Sequence, residues 1–428
     1  MAHKLKFGNG KWATKKGSTL AYNDENNNFK PLPFTTTRDS GATRVNKEGL
    51  IEVVSNDVPR IDYKDSAEGV LLLENSSTNL VTYSEDLNNF STSNQNITIN
   101  QNQITSPSGN LADKVEENNV DGNHAMRRLT GISVTAAQDY TFSFFAKKDE
   151  RSIVGISNTI GGADKNAFID IENGIILSSD FNDSSIDNYG NGWYKISLTH
   201  TATNTADYDV RIYTSIEDGD FNHQGVVGYG FYIWGISVEQ SSYVTSYIPT
   251  NGSIATRLAD TASGSGNSEV FNDSEGVLFF EGSALDNDLT NRFISLTDGS
   301  NDNRVLFGYR AASNQIFARI EGNNSASVDL TTVSSDTKIN AKITISYDSS
   351  YNYKMFVNGF LVDSGVGTDS IIGLDRLDFT NASGTENLYG KTKEIGYYDE
   401  ILTDLELETL TSYRSLNELV TELNLNTL

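Results

Sequence analysis

The feature that most constrains how this 428-residue chain folds is a two-residue alternation of apolar and polar side chains in many short segments. In the segment YTFSFFAKK, the side chains of Tyr140, Phe142 and Phe144 fall on one face and small polar residues fall on the other. Ile343 and Ile345 alternate with polar residues in the same way in AKITISY. Alternation of period two is typical of strands with one buried face. The sequence therefore predicts an all-β chain whose short antiparallel strands form sandwiches.

Two Asn-Gly pairs mark tight turns between such strands. Asn358-Gly359 interrupts the apolar pattern of YKMFVNGFLVDS, and Asn173-Gly174 interrupts that of AFIDIENGIILSS. The two central residues of the commonest hairpin turn need a positive φ, which Asn and Gly adopt most readily. We predict a β-hairpin at each pair.

Helix signals are concentrated near the C-terminus. Thr403 precedes the segment DLELETLTSY and is followed three residues later by Glu406, which is the spacing of a capping box. A second amphipathic stretch covers Ser415–Leu425. The sequence therefore predicts short C-terminal helices, packed either on their own sandwich or on a partner subunit.

Changes in composition divide the chain into four parts. Residues 261–269 have the Gly/Ser composition of a linker. We expect one sandwich ahead of it, over residues 79–260, and a second after it, over residues 270–428. Residues 1–78 mix basic residues with Gly, Asn and Pro, and we expect this segment to be extended rather than independently folded.

The composition excludes several classes of function. A formal net charge of −25 disfavours nucleic acid and an anionic membrane surface as partners. The absence of cysteine excludes disulfides and cysteine-ligated metals, and the four histidines lie in unrelated sequence contexts. No apolar run approaches the length of a membrane span, and the N-terminus lacks the apolar core of a secretory signal. We expect no nucleic-acid partner, no membrane insertion and no metal site built from His or Cys.

Three stretches resemble known families. Phe34–Tyr63 with Gly69–Asp86 resembles the N-terminal module of bacteriophage tail, fibre and head-spike proteins, and Phe231–Asp260 is similar to the closing strand of that module. The segments KITISYDSSYNYKMFVNGFLV and KEIGYYDEILTDLELETLTSY resemble the concanavalin A-like, or laminin G-like, lectin sandwich. The resemblance implies a jelly-roll sandwich followed by a concanavalin A-like sandwich.

The same resemblance implies a role on a virus particle. The expected function is that of a bacteriophage fibre or spike protein that is made in the host cytoplasm, exposed on the virion and adhesive for a host or environmental surface glycan. Other virion proteins are expected partners, and a homotrimer is expected because fibres and spikes are commonly trimeric and repeated weak sites gain avidity. The alternative within the particle is a capsid or tail decoration protein without a receptor role. The position in the particle, the host and the glycan stay open.

Glycan recognition combines aromatic faces with groups that hydrogen-bond hydroxyls. Trp193 and Trp234 alternate with apolar residues in predicted strands, so we expect both in cores. Two tyrosines lie in a predicted hairpin loop beside an aspartate and an asparagine. The candidate glycan-binding residues are Asp348, Tyr351, Asn352 and Tyr353.

The N-terminus is basic and carries a tryptophan, in contrast to the acidic remainder of the chain. We interpret this cluster as the part that docks on the particle, with a solvated chain start as the alternative. The candidate attachment residues are Lys4, Lys6, Lys11, Trp12, Lys15 and Lys16.

Catalysis and cation binding are the remaining possibilities. A polysaccharide depolymerase needs two carboxylates about 5–10 Å apart across a sugar cleft. Pairs such as Asp170 with Glu172 occur, but among 57 acidic residues they arise by chance in turns, so we expect no enzymatic activity and keep a depolymerase as an alternative. The acidic loops 116–123, 284–291 and 298–303 offer oxygen ligands but lack the spacing of an EF-hand. We expect no cofactor, and the jelly-roll resemblance leaves a structural calcium ion in the first sandwich open.

Overall fold

The computed structural model describes residues 5–10, 12–20, 32–128, 131–160, 163–312, 315–323, 327–333 and 336–413. The chain divides into two compact units. Unit 1 takes the residues up to Gly41, Val54–Asn75 and the residues from Leu258 onward, and unit 2 takes Ala42–Val53 and Ser76–Arg257. Among the residues described, no helix has the length and apolar character needed to cross a membrane.

The described part of the chain is almost entirely strands, with two short helices, α1 (Leu87–Phe90) and α2 (Asp404–Thr411). In chain order the strands are β1 (Leu5–Gly8), β2 (Ala13–Lys15), β3 (Ser18–Leu20), β4 (Phe34–Thr37), β5 (Ala42–Val45), β6 (Ile51–Val54), β7 (Ile61–Asp62), β8 (Val70–Leu73), β9 (Ser77–Asn79), β10 (Ser93–Gln95), β11 (Ile97–Thr105), β12 (Leu111–Glu117), β13 (Asp121–Asn123), β14 (Ala125–Arg128), β15 (Ser133–Val134), β16 (Asp139–Lys148), β17 (Ile153–Ile160), β18 (Ala163–Asp170), β19 (Ile175–Ser179), β20 (Asp183–Asn188), β21 (Trp193–Thr201), β22 (Ala206–Asp207), β23 (Asp209–Ser215), β24 (Asn222–Gln224), β25 (Gly230–Glu239), β26 (Ala255–Arg257), β27 (Thr261–Ser263), β28 (Gly276–Ala284), β29 (Arg292–Thr297), β30 (Arg304–Arg310), β31 (Gln315–Glu321), β32 (Val328–Val333), β33 (Ala341–Tyr347), β34 (Asn352–Val357), β35 (Phe360–Val366), β36 (Arg376–Asp378) and β37 (Gly390–Tyr398). The predicted all-β class with antiparallel sandwiches is confirmed.

Unit 2 is a sandwich of two six-stranded antiparallel sheets. One sheet has the order β10-β14-β23-β17-β18-β19 and the other β11-β12-β25-β16-β21-β20. Phe142 and Phe144 of β16 and Ile156 of β17 are fully buried in one core that takes side chains from both sheets. The alternation in the sequence therefore identifies the face of β16 that enters this core. The other face of β16 is not exposed as expected, because Thr141, Ser143 and Phe145 are buried as well.

Unit 1 is a second sandwich. Its larger sheet has the order β35-β34-β33-β28-β37-β8-β7, with β1 also paired to β37, and its smaller sheet has the order β32-β31-β30-β29-β36. Phe280 of β28, Ile345 of β33 and Phe307 of β30 contribute to a single core between the two sheets. Helix α2 begins after Thr403, whose side chain accepts a hydrogen bond from the Glu406 backbone, so the predicted capping box is present.

The N-terminal residues differ from the predicted separate segment 1–78. β1 pairs with β37, with Leu5 opposite Tyr397, and β8 pairs with the other end of β37, with Leu73 opposite Gly390. Residues 42–53 belong to unit 2 instead. Strands β1, β7 and β8 of this segment therefore complete a sheet whose other strands come from residues 270 onward.

The predicted linker 261–269 also differs from the structure. It contains β27, which pairs with β4 and places Thr261 opposite Thr37. Ala262 is fully buried in the core of unit 1. Gly and Ser are common in linkers and in short strand ends alike, so composition could not separate the two here.

The two Asn-Gly hairpins form with different turns. Asn358 and Gly359 have φ values of 50° and 88° and connect β34 to β35 as a tight turn. Between β18 and β19 the turn covers residues 171–174, and there Gly174 has a φ of 67°. The predicted second helix, Ser415–Leu425, lies outside the described residues.

Four charged side chains form a buried ion network in unit 1. Arg38 donates to Asp260 at 2.8 Å, and Arg60 pairs with both Glu74 and Asp260. All four side chains are at most 4% exposed. These residues lie close in sequence to the points where the chain leaves or enters unit 1, which are Gly41, Val54, Asn75 and Leu258. The network therefore joins, at one buried point, residues that lie next to these four borders of unit 1.

Candidate functional site

A cavity of about 160 Å³ opens at one end of the sandwich of unit 1. Three chain segments that are distant in sequence form its walls. The residues that line it are Asp273, Ser274, Tyr347, Asp348, Ser349, Tyr351, Tyr353, Ser370 and Ile371.

One wall is the turn between β33 and β34. The carboxylate of Asp348 accepts hydrogen bonds from the backbone N–H groups of Ser350 at 2.8 Å and Asn352 at 2.9 Å, which closes the turn. The Tyr351 backbone N–H donates to the Asp348 carbonyl at 2.9 Å, and Tyr351 itself has a φ of 62°. A positive φ is uncommon for a residue other than Gly, and such strain is often found at ligand sites. The turn holds the Tyr351 ring at the wall of the cavity.

Two buried tyrosines lie beside this turn. Tyr353 is 3% exposed, and burial together with the nearby Tyr351 and Asp348 raises its pKa to about 12. Burial also raises the pKa of Tyr347 well above its ordinary value, and its hydroxyl donates to the Asn272 carbonyl at 2.6 Å. Both hydroxyls are therefore neutral at physiological pH and retain the proton needed to donate a hydrogen bond.

The opposite wall is held by Asp273. Its two carboxylate oxygens accept hydrogen bonds from the backbone N–H groups of Gly373 at 2.7 Å and Leu374 at 2.9 Å. These bonds tie the segment before β28 to the loop before β36, which carries Ser370 and Ile371. The cavity is thus preformed on both sides by hydrogen bonds from backbone N–H groups to the carboxylates of Asp348 and Asp273.

The electrostatics of the cavity suit binding of hydroxyl groups. Burial raises the pKa of Asp348, but hydrogen bonds from the side chain and backbone of Asn352 and from Ser350 outweigh it, so the pKa lies below its ordinary value. An ionised Asp348 accepts hydrogen bonds and carries no proton to donate at neutral pH. With Asp273 and serine hydroxyls around aromatic rings, the cavity offers acceptors and donors to a polar, uncharged ligand.

The structure brings three of the four candidate glycan-binding residues to this cavity. Asp348, Tyr351 and Tyr353 line it, whereas the Asn352 amide folds back onto the Asp348 carboxylate at 3.0 Å and is not part of the lining. Their role in binding stays a prediction. Sequence reasoning missed Asp273 because only long-range pairing brings it to the turn, and no local pattern marks it.

The N-terminal basic cluster is partly used within unit 1. Lys6 forms an ion pair with Glu394, and the Trp12 ring lies 6.4 Å from the Phe7 ring and packs on the core. Lys15 and Lys16 are exposed. Lys4 and Lys11 lie outside the described residues. Docking of this cluster on a particle stays a prediction. Among the residues that the structure describes, Lys15 and Lys16 are the lysines of the cluster that are exposed.

The acidic pairs and loops have local structural partners. Asp170 accepts hydrogen bonds from the backbone of Glu172 at 2.9 Å and Asn173 at 3.1 Å, and Glu172 pairs with Lys148. In the loop 298–303, Asp298 accepts from the Ser300 hydroxyl at 2.6 Å. Within the described ranges, no three His, Asp or Glu side chains are grouped as they would be to hold a metal ion.

The expected burial of two tryptophans is observed in unit 2. Trp193 is 2% exposed and Trp234 is 1% exposed. Trp234 packs against Phe145 and Tyr247, with ring centroids 5.2 Å and 4.6 Å away. Both tryptophans are core residues and offer no face to a ligand.

Comparison with known proteins gives partial structural likenesses. The CBM40 module of a Ruminococcus gnavus IT-sialidase, bound to α2,3 sialyllactose, is 16% identical, covers 35% of this chain and 94% of its own, and has a TM-score of 0.30. The binding domain of botulinum neurotoxin serotype G is 21% identical, and the match covers 35% of this chain and 39% of that domain's chain with a TM-score of 0.29. A SAP-like pentraxin from Limulus polyphemus is 13% identical, and the match covers 33% of this chain and 71% of the pentraxin chain with a TM-score of 0.27. No protein-family model and no curated protein matches this chain. At these TM-scores the likenesses carry no conclusion about function.

Proposed function

We propose that unit 1 binds a saccharide in the cavity formed by Tyr351, Asp348 and Asp273. The observation that carries the proposal is the combination of a strained, ring-presenting turn with two carboxylates in one preformed cavity. Carboxylates and hydroxyls that converge beside aromatic rings are the groups that orient a sugar and its hydroxyls. The proposal assigns binding, and no reaction, to the cavity.

The size of the cavity limits the ligand. Its volume of about 160 Å³ is below the roughly 300–1,000 Å³ of pockets that enclose drug-sized molecules. We infer that it takes one sugar residue, such as the end of a chain, rather than an extended oligosaccharide. A single small site binds weakly, so adhesion would depend on several copies acting together.

We further propose that the chain is displayed on a bacteriophage particle as a fibre or spike protein and attaches it to surface glycans. The support is the resemblance of Phe34–Tyr63, Gly69–Asp86 and Phe231–Asp260 to virion modules, together with the proposed sugar cavity. A homotrimer made in the host cytoplasm and assembled with other virion proteins is part of this proposal. Peptides of the chain found in purified particles and a trimeric mass in solution would support it. A chain absent from particles, or purely monomeric at micromolar concentration, would count against it.

The binding proposal is tested with a glycan array followed by NMR saturation transfer on the full chain. The variant Tyr351→Asn removes the ring and keeps a residue that tolerates a positive φ, so the turn is preserved. We expect affinity for the bound neutral sugar to fall about tenfold, because an aromatic contact of one to two kcal/mol is lost. The matched control is Tyr229→Asn, which removes an exposed tyrosine of unit 2 and should leave binding unchanged. Equal affinity of wild type and Tyr351→Asn would refute the cavity as the site.

A further inference from the structure

The smaller sheet of unit 1 carries a second set of apolar residues on the face turned away from the core. Ile294, Phe307 and Ala318 point into the core, and their neighbours on the opposite face form a separate buried cluster. That cluster consists of Phe293, Leu306 and Phe317. We call this opposite side of β29–β32 the outer face.

Aromatic rings on the outer face meet over a glycine. Phe293 of β29 and Phe317 of β31 both lie opposite Gly308 of β30, and their ring centroids are 5.9 Å apart. A Cβ at Gly308 would lie 2.0 Å from the Arg292 carbonyl oxygen, so the position has no room for a side chain. The two rings fill the space above the glycine and form a rigid base.

Two guanidinium groups rest on this base. The Cζ atom of Arg310 lies 4.4 Å from the centre of the Phe317 ring, and that of Arg319 lies 5.5 Å from it. Arg319 is neutralised by Asp329 through two hydrogen bonds of 2.7 Å and 2.9 Å. A cation–π contact holds a guanidinium over a ring and leaves donors that point away from the ring available to a ligand.

Arg310 differs from the other arginines of unit 1 that the structure describes. Each of the others has a carboxylate partner, namely Arg38, Arg60, Arg292, Arg304, Arg319 and Arg376. Arg310 is exposed and has neither an ion pair nor a side-chain hydrogen bond within the described part of the chain. An exposed arginine without a carboxylate partner has its donors available to an external anion.

We propose that the outer face binds an acidic polysaccharide, with the Arg310 guanidinium holding a carboxylate or sulfate group of the chain. Gln315 lies opposite Arg310 on β31, and Thr331 lies opposite Phe317 on β32, so an amide and a hydroxyl flank the cation. These groups suit sugar hydroxyls. One arginine holds one acidic group at a time, whereas nucleic-acid binding depends on many cations acting together. This site is independent of the cavity, which contains two carboxylates and takes a neutral sugar.

The test measures binding of the full-length protein by calorimetry to hyaluronan oligosaccharides, to dextran sulfate and to neutral dextran at low salt. We expect binding to at least one of the two acidic polymers, which distinguishes a carboxylate from a sulfate ligand. The variant Arg310→Gln should weaken it about tenfold, as expected for loss of a charged hydrogen bond. The control Arg376→Gln, which removes the same charge from an arginine paired with Asp375, should bind as wild type does.

Further variants make the outcome decisive. Arg310→Lys keeps the charge but loses the stacked, planar donor, and we expect an intermediate affinity; wild-type affinity would overturn the role of stacking. Equal loss in the Arg310 and Arg376 variants, binding of single-stranded DNA as tight as that of the acidic polymers, or no binding of either polymer to wild type would overturn the proposal. Tyr351→Asn should leave acidic-polymer binding intact, so failure of this site and failure of the sugar cavity give different results.

Discussion

Replacing Asp260 by Asn tests the buried ion network most directly. Asp260 accepts hydrogen bonds from Arg38 and Arg60 and from the backbone N–H of Glu74 at 2.9 Å, and it is 1% exposed. The two arginines of the network are balanced by two carboxylates, and the substitution removes one of these two negative charges. Breaking a buried ion pair by removing one member costs about 3–5 kcal/mol.

That loss is a large part of the roughly 5–15 kcal/mol by which proteins of this kind are stable. The assay is urea denaturation of the full chain combined with hydrogen exchange, which reports each segment separately. We expect peptides from β4 and β7–β8 to lose protection, while peptides from β16 and β21 of unit 2 keep theirs. The network joins segments that end or begin at the borders of unit 1, so loosening should start there.

A matched control separates burial from charge. Asp329→Asn removes the partner of Arg319, a pair whose side chains are 29% and 34% exposed. Such exposed pairs contribute about 0.2–1 kcal/mol, so this variant should be nearly as stable as wild type. If Asp260→Asn costs no more than Asp329→Asn, the network does not stabilise unit 1 and the reasoning fails.

Three further predictions concern pH, a turn and a cap. Burial raises the pKa of Glu117, but hydrogen bonds from Arg151 and His223 outweigh it and lower the pKa from 4.5 to about 2. The ionised carboxylate therefore stabilises the fold by about 3 kcal/mol above pH ~4.5, and this stabilisation is lost as the pH falls towards 2. Glu117→Gln should remove it at pH 7. In a plot of melting temperature against pH, the variant should therefore show a smaller fall between pH 4.5 and 2 than wild type does. Gly359→Ala should cost about 1–2 kcal/mol in urea melts, because the turn needs a left-handed residue. Thr403→Ala removes the cap of α2 and should cost about 1 kcal/mol in the same melts.

Each of these three predictions has a result that would contradict it. If the melting temperature of Glu117→Gln falls between pH 4.5 and 2 as much as that of wild type, this carboxylate is not held ionised in the fold. For the turn, Gly359→Asn is the control, because Asn tolerates a positive φ and should retain most of the stability lost in the alanine variant. For the cap, Thr403→Ser should be close to wild type, and a loss equal to that of the alanine variant would exclude the capping hydrogen bond as the cause.

Part of the candidate site could be predicted from the sequence, because it depends on local chemistry. The segment from Asp348 to Tyr353 is a turn in which the aspartate side chain bonds the backbone that follows it, and residue type alone signals such a turn. The opposite wall, with Asp273 and Ser370, could not be predicted. Asp273 lies far from the turn in sequence and reaches it through the pairing of β28 with β33. Its carboxylate then holds the loop that carries Ser370, through the backbone N–H groups of Gly373 and Leu374.

The same division holds for the whole molecule. Alternation by itself determined which face of β16 enters the main core of unit 2, although not that its other face is buried too. The residue types at Asn358-Gly359 and Thr403 determined a turn and a helix start. These are properties of a few neighbouring residues. Alternation specifies a buried face but not the partner strand, since any strand with an apolar face can pair with another.

Tertiary packing decided what the short, polar segments do. The Gly/Ser-rich residues 261–269 have the composition of a linker, yet β27 pairs with β4. In this arrangement Ala262 is buried in the core of unit 1 and Asp260 lies between two arginines. Arg310 is likewise an ordinary arginine in sequence. Arg292 and Arg376 have carboxylate partners close by in sequence, at Asp288 and Asp375. Only the folded sheet places the Arg310 guanidinium on Phe317, because the register of β30 against β31 decides which side chains share a face.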